Sequence, residues 1–543
     1  VGEGPKTFNP FNSKDNISST MADIMYDGLL STHPVTGQPI PKLAKSFTIS
    51  EDGKDYIIEL RKGIKWSDGK PITADDVVFT WKDIIFAGLG NTSTRDSVII
   101  DGKLPTVEKI DTYTVKFTTP EPFAPFIRSL STPIAPKHIF EPAVKKGKEY
   151  FDGFLSTNTP PKDFVISGAF RLREYVPAQR VVYERNTDYY IINKNGERLP
   201  YLDKLVYLIV GDKNNEVLKF EGGELDVIGL QGAQVSRFKE MEKYSDFKVY
   251  NMGPSTGTMF VALNLNSRKN DKGEFYVNPV RQKWFQDINF RQAVDYSIDR
   301  KNIVFNIANG LGAPLFTAES LNSIYLNKDL KPYEKSKEKA DELLAQSGFY
   351  RDKKGKLFDK NNNPEEFDLY TNAGKSEREA IGVMVKQDLE HLGMKVNFKP
   401  VEFNTLVNKL VSTYDWDMVI MGLTGSPLEP NGGANVWLSG GTLHMFNQRP
   451  AGYNKDDRFE WEKRMDNIFV KGALATDFKS RKKYYDEYQK IAYEEKPFIY
   501  LYSPLVISAI RSKFKNLYPS MLGGLTHNIE EVYIDEQLTN LRK

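Results

Sequence analysis

The sequence predicts an α/β protein, and three observations carry that expectation. Strand-like and helix-like segments alternate through all 543 residues, as expected where helices cover a largely parallel sheet. Residues 367–421 carry the periodicities of a complete β-α-β-α-β unit. Several helices also announce their starts with capping residues.

Taken in chain order, the first clear helix opens at Thr73, where Asp76 three residues on completes a capping box. Val77, Trp81, Ile84 and Ile85 give it an apolar face, so Trp81 reads as core. Asn289 is expected to cap a helix running through Phe290, Val294 and Ile298, and Asp299 to cap the next, which ends near Gly310. Phe367, Leu369 and Thr371 then alternate as in a strand. Ser376 with Glu379 reads as a capping box ahead of Ile381, Met384, Val385, Leu389 and Leu392 at helical spacing. Gly393 stops that helix. Met394, Val396 and Phe398 return to period two; Leu406, Val407, Leu410 and Val411 form a second helical face; Asp417 to Met421 is a short apolar strand.

Such units build parallel sheets with right-handed crossovers, and ligands of open parallel sheets bind beyond the strands' carboxyl ends. Three loops leave those ends: Asn372 to Lys375, Glu402 to Asn404, and Gly422 to Asn435. The last is long and rich in Gly and Pro, and a loop of that length at that place reads as functional.

Composition narrows the classes of function. Lys plus Arg number 74 against 72 for Asp plus Glu, a net charge of +2. That balance argues against nucleic acid and against an anionic membrane surface, both of which select basic patches. Cysteine is absent, which excludes disulfides, thiolate metal sites and Cys nucleophiles. No run of about 18 apolar residues suggests a membrane span. The chain opens on Val1-Gly2-Glu3-Gly4 with neither a basic n-region nor an apolar h-region; if the protein is exported, its signal has been removed.

Motifs with chemical content resolve poorly into catalysis. Gly253-Pro254-Ser255-Thr256-Gly257 matches the G-x-S-x-G nucleophile elbow, but a strand-like run, Met259 to Leu265, follows where a helix is needed. Ala373-Gly374-Lys375-Ser376 ends like a phosphate loop but lacks its first glycine, Leu369 standing there. Asp359 to Asn363 begins like a calcium loop, yet Pro364 and Tyr370 occupy the positions needing Gly and Glu, so an Asn-rich hairpin turn is expected. The five histidines are scattered, none at metal spacing. A carboxylate pair cannot be singled out from sequence. No cofactor and no metal are expected.

One stretch carries a specific resemblance. LRKGIKWSDGKPITADDV at 60–77 resembles the signature of the extracellular solute-binding proteins of family 5, the peptide- and nickel-type binding proteins of ABC importers. FNPFNS at 8–13, Tyr26-Asp27-Gly28-Leu29, the hairpin at 167–190, FEGGELDV at 220–227, FRQAVDYSIDR at 290–300 and the returning strand at 497–517 follow in the family's order. The resemblance implies a two-lobed periplasmic-binding-protein fold of type II, large cluster C variety. Residues 1–262 plus 498–543 would form the first lobe, with an inserted subdomain around 45–165. Residues 263–497 would form the second, with hinge crossings near 263–266 and 497–502. It further implies a monomer in the periplasm, or anchored outside the cytoplasmic membrane, that takes a small-molecule ligand into an interlobe cleft. The lobes would close by hinge motion and present the ligand to an ABC permease.

Within that expectation the ligand-binding candidates are Tyr26, Asn264, Asn372, Glu402, Thr424, Ser426, Trp437, Phe446 and Tyr502. The ligand expected is a short peptide. The alternative is an oligosaccharide, because peptide-binding relatives carry an Asp shortly before a Glu-Pro pair, and here Ser426 precedes Glu429-Pro430. Asn435 and Asn447 would suit neutral hydrogen bonding to a sugar. Two other classes remain open on sequence: a hydrolase using Ser255, and a sensor or adhesin on the same fold.

Overall fold

The capping box at Thr73 forms as its sequence predicts: the Thr73 amide donates to Asp76 Oδ2 at 2.9 Å, and Thr73 Oγ1 accepts from the Asp75 amide. The helix Ala74–Phe79 continues as a π-helical segment, Thr80–Ile85, that buries Trp81 completely. This computed structural model describes residues 1–100, 102–450 and 455–535, and for Ala233 and Asn404 the backbone alone.

The chain forms two compact units. The first comprises Val1–Gly229, Phe238–Tyr250 and the described part of Ser508–Lys543; the second comprises Leu230–Arg237 and Asn251–Ile507. In the first unit an antiparallel sheet takes the order Ala44–Ile49, Asp55–Leu60, Thr114–Thr118, Thr106–Asp111. Tyr56, Ile58 and Leu60 alternate into its buried face with the period of two that a half-covered strand requires. A three-stranded meander, Phe170–Val176, Arg180–Arg185 and Lys204–Leu208, packs on an aromatic core of Phe8, Tyr26, Phe140, Tyr183 and Tyr189.

The second unit is built on one mixed sheet of five strands: β1 (Gly257–Leu263), β2 (Glu366–Asn372), β3 (Lys395–Val401), β4 (Met418–Thr424) and β5 (Phe498–Tyr500). Their order is β3-β2-β4-β1-β5. β2 pairs in parallel with β3 and with β4, while β1 runs antiparallel to β4 and β5. Met418 to Met421 and Phe260 to Leu263 are buried without a break, as in a sheet covered on both faces. Each fully buried Leu, Ile or Val there contributes about 2 kcal/mol of transfer free energy.

The β-α-β-α-β reading of 367–421 therefore holds, with α1 (Ser376–Glu390) between β2 and β3. Two caps differ from expectation. The first is at Ser376: Lys375 occupies the cap position and its side chain makes no cap bond, while Glu379 Oε1 accepts from the Gly374 amide at 2.7 Å. The second is at Asn289: the preceding Asp287 caps the helix Ile288–Ser297 by accepting from the Asn289 amide at 2.9 Å. A carboxylate two residues upstream reaches the free amides better than the Asn already inside the first turn. Gly393 ends the α1 segment at φ +88°, and a Cβ there would sit 2.2 Å from the Gly355 carbonyl oxygen, so only glycine fits.

The strand 257–263, expected in the first lobe, lies inside the second unit because both its ladder partners, β4 and β5, are there. The chain passes from one unit to the other after Gly229, Arg237, Tyr250 and Ile507.

Candidate functional site

Because β1 opposes β4, its first residues lie beside the last residues of β4, with Gly257 paired to Thr424. The carboxyl edge of the parallel strands is thus continued by the start of β1. A cavity of about 300 Å³ opens at that edge, wholly within the second unit. Thr256 and Thr258 line one side, and Thr424 and Ser426 another. Phe260, Trp437, Phe498 and Tyr500 supply apolar wall. Mixed walls of this kind, apolar with a few converging polar groups, are what small-ligand sites present.

The loop after β4 is held by its own chemistry. Glu429 accepts from the Asn431 amide at 3.1 Å and from Arg481 at 2.6 Å, so its carboxylate is neutralised by a guanidinium that is itself buried. Ser426 Oγ accepts from the Leu428 amide at 3.2 Å. Further on, His444 is fully buried with Nδ1 2.9 Å from the Val436 carbonyl oxygen and Nε2 2.7 Å from Glu462 Oε1. Asn447 donates to both Glu462 oxygens at 2.9 and 3.0 Å. This buried network fixes the turn that carries Trp437. The turn is so tight that a Cβ on Gly441 would meet the Asn435 carbonyl oxygen at 2.1 Å.

Of the nine candidates, three meet at the cavity: Thr424, Ser426 and Trp437. Asn435 joins them there. Trp437 is only 4% exposed and packs 5.6 Å from Tyr488 and 5.5 Å from Phe498. Phe446 stands behind it, fully buried, its centroid 6.1 Å from Trp437. Asn264 is buried, its amide donating to the Tyr414 and Trp416 carbonyls at 2.9 Å each; it clamps the approach to β4. Asn372 accepts from Arg378 at 2.7 Å. Glu402 caps the helix Phe403–Asn408 through the Thr405 amide. Tyr502 is buried and donates to Glu377. Tyr26 belongs to the first unit, where it lines a separate cavity of about 950 Å³. Its hydroxyl has no partner among the described residues, and burial raises its pKa.

Sequence reasoning missed Glu319, Ser320, Tyr488 and Tyr500, all of which line the cavity. Residues 318–320 lie in a stretch without periodicity, and nothing local marks them as facing β1. The weaker motifs resolve structurally. Ser255 sits in the turn joining Phe247–Pro254 to β1, with no helix after it, and its Oγ accepts from the Gly257 amide at 3.1 Å. Asp359 folds the Asn-rich turn by accepting from the Asn361 and Asn363 amides at 2.9 and 2.8 Å. No cluster of His, Cys, Asp and Glu suited to a metal ion occurs among the described residues.

A ligand-sized cavity at the carboxyl edge of a mixed α/β sheet is the place where such folds bind small ligands. The family described as bacterial extracellular solute-binding proteins, family 5 Middle, matches residues 38–444. The chain belongs to that family, the solute-binding proteins of ABC importers. It is 30% identical over 537 residues to a probable ABC transporter-binding protein of Deinococcus radiodurans, covering 94% of this chain and 87% of the relative. It is 28% identical over 512 residues to the oligopeptide-binding protein AppA of Bacillus subtilis, covering 93% and 85%. Among solved structures, the ABC transporter substrate binding protein CtaP of Listeria monocytogenes superposes with a TM-score of 0.77 at 25% identity, covering 98% of both chains. Its fold is that of the two-lobed binding proteins, and its relatives are binding proteins and not enzymes.

Proposed function

We propose that this protein captures a short peptide and delivers it to the membrane permease of an ABC importer. On this reading it acts as a monomer outside the cytoplasmic membrane. Its relatives include a protein named for oligopeptide binding that matches nearly the whole chain. The observation that carries the reading is the cavity beyond β4, where Thr256, Thr424, Ser426 and Asn435 offer hydrogen bonds against a wall of Trp437, Phe498 and Tyr500. Peptides present alternating amides and side chains, which such a surface can accept. Among the described residues no helix is long and apolar enough to cross a membrane.

Native mass spectrometry of protein purified without denaturation tests the ligand class directly. The expected result is a series of bound masses that fragment as short peptides; hexose ladders would overturn the peptide reading in favour of an oligosaccharide. Thr424→Trp tests the place. Thr424 is exposed at the cavity edge, so an indole there fills the space without disturbing the core. Peptide affinity should fall about 100-fold, equivalent to about 3 kcal/mol, with the melting midpoint nearly unchanged. Retained affinity would place the ligand elsewhere.

A further inference from the structure

Two helices of the second unit, α2 (Glu460–Leu474) and α3 (Phe478–Glu495), form a hairpin joined by Ala475 to Asp477. Their facing sides are packed: the Phe469 ring lies 6.1 Å from Tyr485 and 5.0 Å from Tyr488, and a Cβ on Gly472 would meet the Tyr485 ring at 2.9 Å. The tip is firmly held. Arg481 donates to the Gly472 carbonyl and to the Tyr325 hydroxyl at 3.0 Å each and to Glu429 at 2.6 Å. Asp477 caps α3 by accepting from the Ser480 amide at 2.9 Å. Whatever this tip presents to solvent is therefore already ordered.

It presents three apolar side chains: Val470 is 52% exposed, Leu474 36% and Phe478 51%. Val470 and Leu474 are one turn apart on α2, and Phe478 opens α3 across the three-residue turn, with its ring 5.0 Å from that of Tyr325. A single exposed apolar residue is ordinary; three at one tip form a patch. Around them the charge is one-sided. Residues 470–483 hold four lysines and one arginine against a single acid, Asp477. Arg481 and Lys482 are balanced by Glu429 and Asp486. Lys471, Lys479 and Lys483 are exposed and have no ion-pair partner among the described residues. The chain's total charge of +2 conceals this local excess.

We propose that this hairpin tip is a membrane-contact site, which lays Val470, Leu474 and Phe478 into the interface of a bilayer carrying anionic lipid while Lys471, Lys479 and Lys483 reach the headgroups. Lysine suits that place because its stem lies along apolar surface while the ammonium stays among phosphates. A convex tip with three apolar side chains fits a soft, flat lipid surface; a specific protein interface would need about 1,200 Å² or more. So small an apolar patch gives weak, reversible contact, strengthened by negative lipid and weakened by salt. The inference goes beyond the peptide reading and does not depend on it.

The chain has no cysteine, so Leu474→Cys gives a single attachment point for an environment-sensitive fluorophore. Its emission should shift to the blue with vesicles of phosphatidylcholine containing about 30% phosphatidylglycerol, and far less with phosphatidylcholine alone. The same label at Tyr244→Cys, a position 88% exposed in the first unit, should not respond. Co-sedimentation of the unlabelled protein with the anionic vesicles gives the strength. Replacing Lys471, Lys479 and Lys483 together by Gln should weaken binding about 30-fold, and Val470→Ser with Leu474→Ser about tenfold. Raising salt to about 0.5 M should act like the lysine replacement. All five positions are exposed, so the melting midpoint of each variant should match the wild type. No binding to anionic vesicles, equal binding to both vesicle types, an equal response from the two labels, or binding that the lysine replacement leaves unmoved would each overturn the proposal. The peptide reading would stand in every case, since no peptide enters the measurement.

Discussion

Asp295→Ala is expected to destabilise the second unit by about 4 kcal/mol, a fall in melting midpoint on the order of 10 °C. Asp295, Arg300 and Lys496 have side chains only 2%, 4% and 4% exposed. Lys496 Nζ lies 2.6 Å from Asp295 Oδ2, and Arg300 donates to Asp295 Oδ1. Arg300 also donates to the Tyr500 carbonyl at 2.7 Å, and Lys496 Nζ stands 3.7 and 3.9 Å from the ring centroids of Tyr333 and Tyr493. One carboxylate thus balances two buried cations. Removing it leaves both uncompensated, which costs far more than the net worth of the cluster. Burial opposes ionisation of Asp295, but Arg300 and Lys496 prevail and hold its pKa below the ordinary value. A depressed carboxyl contributes stability above its unfolded pKa, near 3.8, and loses it as pH falls further. Because the cluster anchors β5, which forms part of the cavity wall, ligand affinity should fall with stability. Urea unfolding of Asp295→Ala against the triple replacement Asp295→Leu, Arg300→Leu, Lys496→Met measures this. The triple variant should regain most of the loss, and an equal loss in both would refute the charge argument.

A second large effect has the opposite pH sign. Glu365 is fully buried, and neither carboxylate oxygen has a hydrogen-bond partner among the described residues. Burial pushes its pKa up to about 9, with repulsion from Asp359 adding to the shift. The folded protein therefore holds this proton more tightly than the unfolded chain. Stability from Glu365 is complete below about pH 4.5 and drains away as pH rises toward 9. Between pH 5 and pH 8 the loss amounts to about 4 kcal/mol. Glu365→Gln keeps the shape and removes the ionisation. Its stability at pH 8 should exceed that of the wild type by about 3 kcal/mol, and its urea midpoint should vary far less over pH 5–8.5. A wild-type midpoint that does not fall over this range would show that Glu365 is relieved by another contact.

Much of the scaffold was legible because local signals and burial agree. The alternation at Phe367, Leu369 and Thr371 became β2, the helical spacing from Ile381 to Leu389 became α1, and Gly393 ended it in the left-handed region. Thr73 and Asp76 formed the box that their spacing implied. The caps expected at Asn289 and Ser376 were misplaced by two residues and one, since several polar side chains near a helix start compete and only their reach to particular amides decides.

Of the nine candidate residues, a third line the cavity. The long Gly- and Pro-rich loop at a strand's carboxyl end singled out Thr424 and Ser426, and the aromatic beyond it Trp437; all three line the cavity. Asn264, Asn372 and Tyr502 have the residue types that contact ligands, yet their polar atoms are committed to Tyr414, Trp416, Arg378 and Glu377. Residue type cannot distinguish an amide that waits for a ligand from one that clamps a backbone.

By itself, then, the sequence determined the α/β class and the family, because periodicity, capping and turn chemistry act over a few residues. The tertiary structure decided where the charges go. Glu319 meets Tyr488 across 169 residues and Asp295 meets Lys496 across 201, and whether such groups are paired, neutral or waiting depends on what folding brings beside them, since in a low-dielectric interior the partner fixes both ionisation and role.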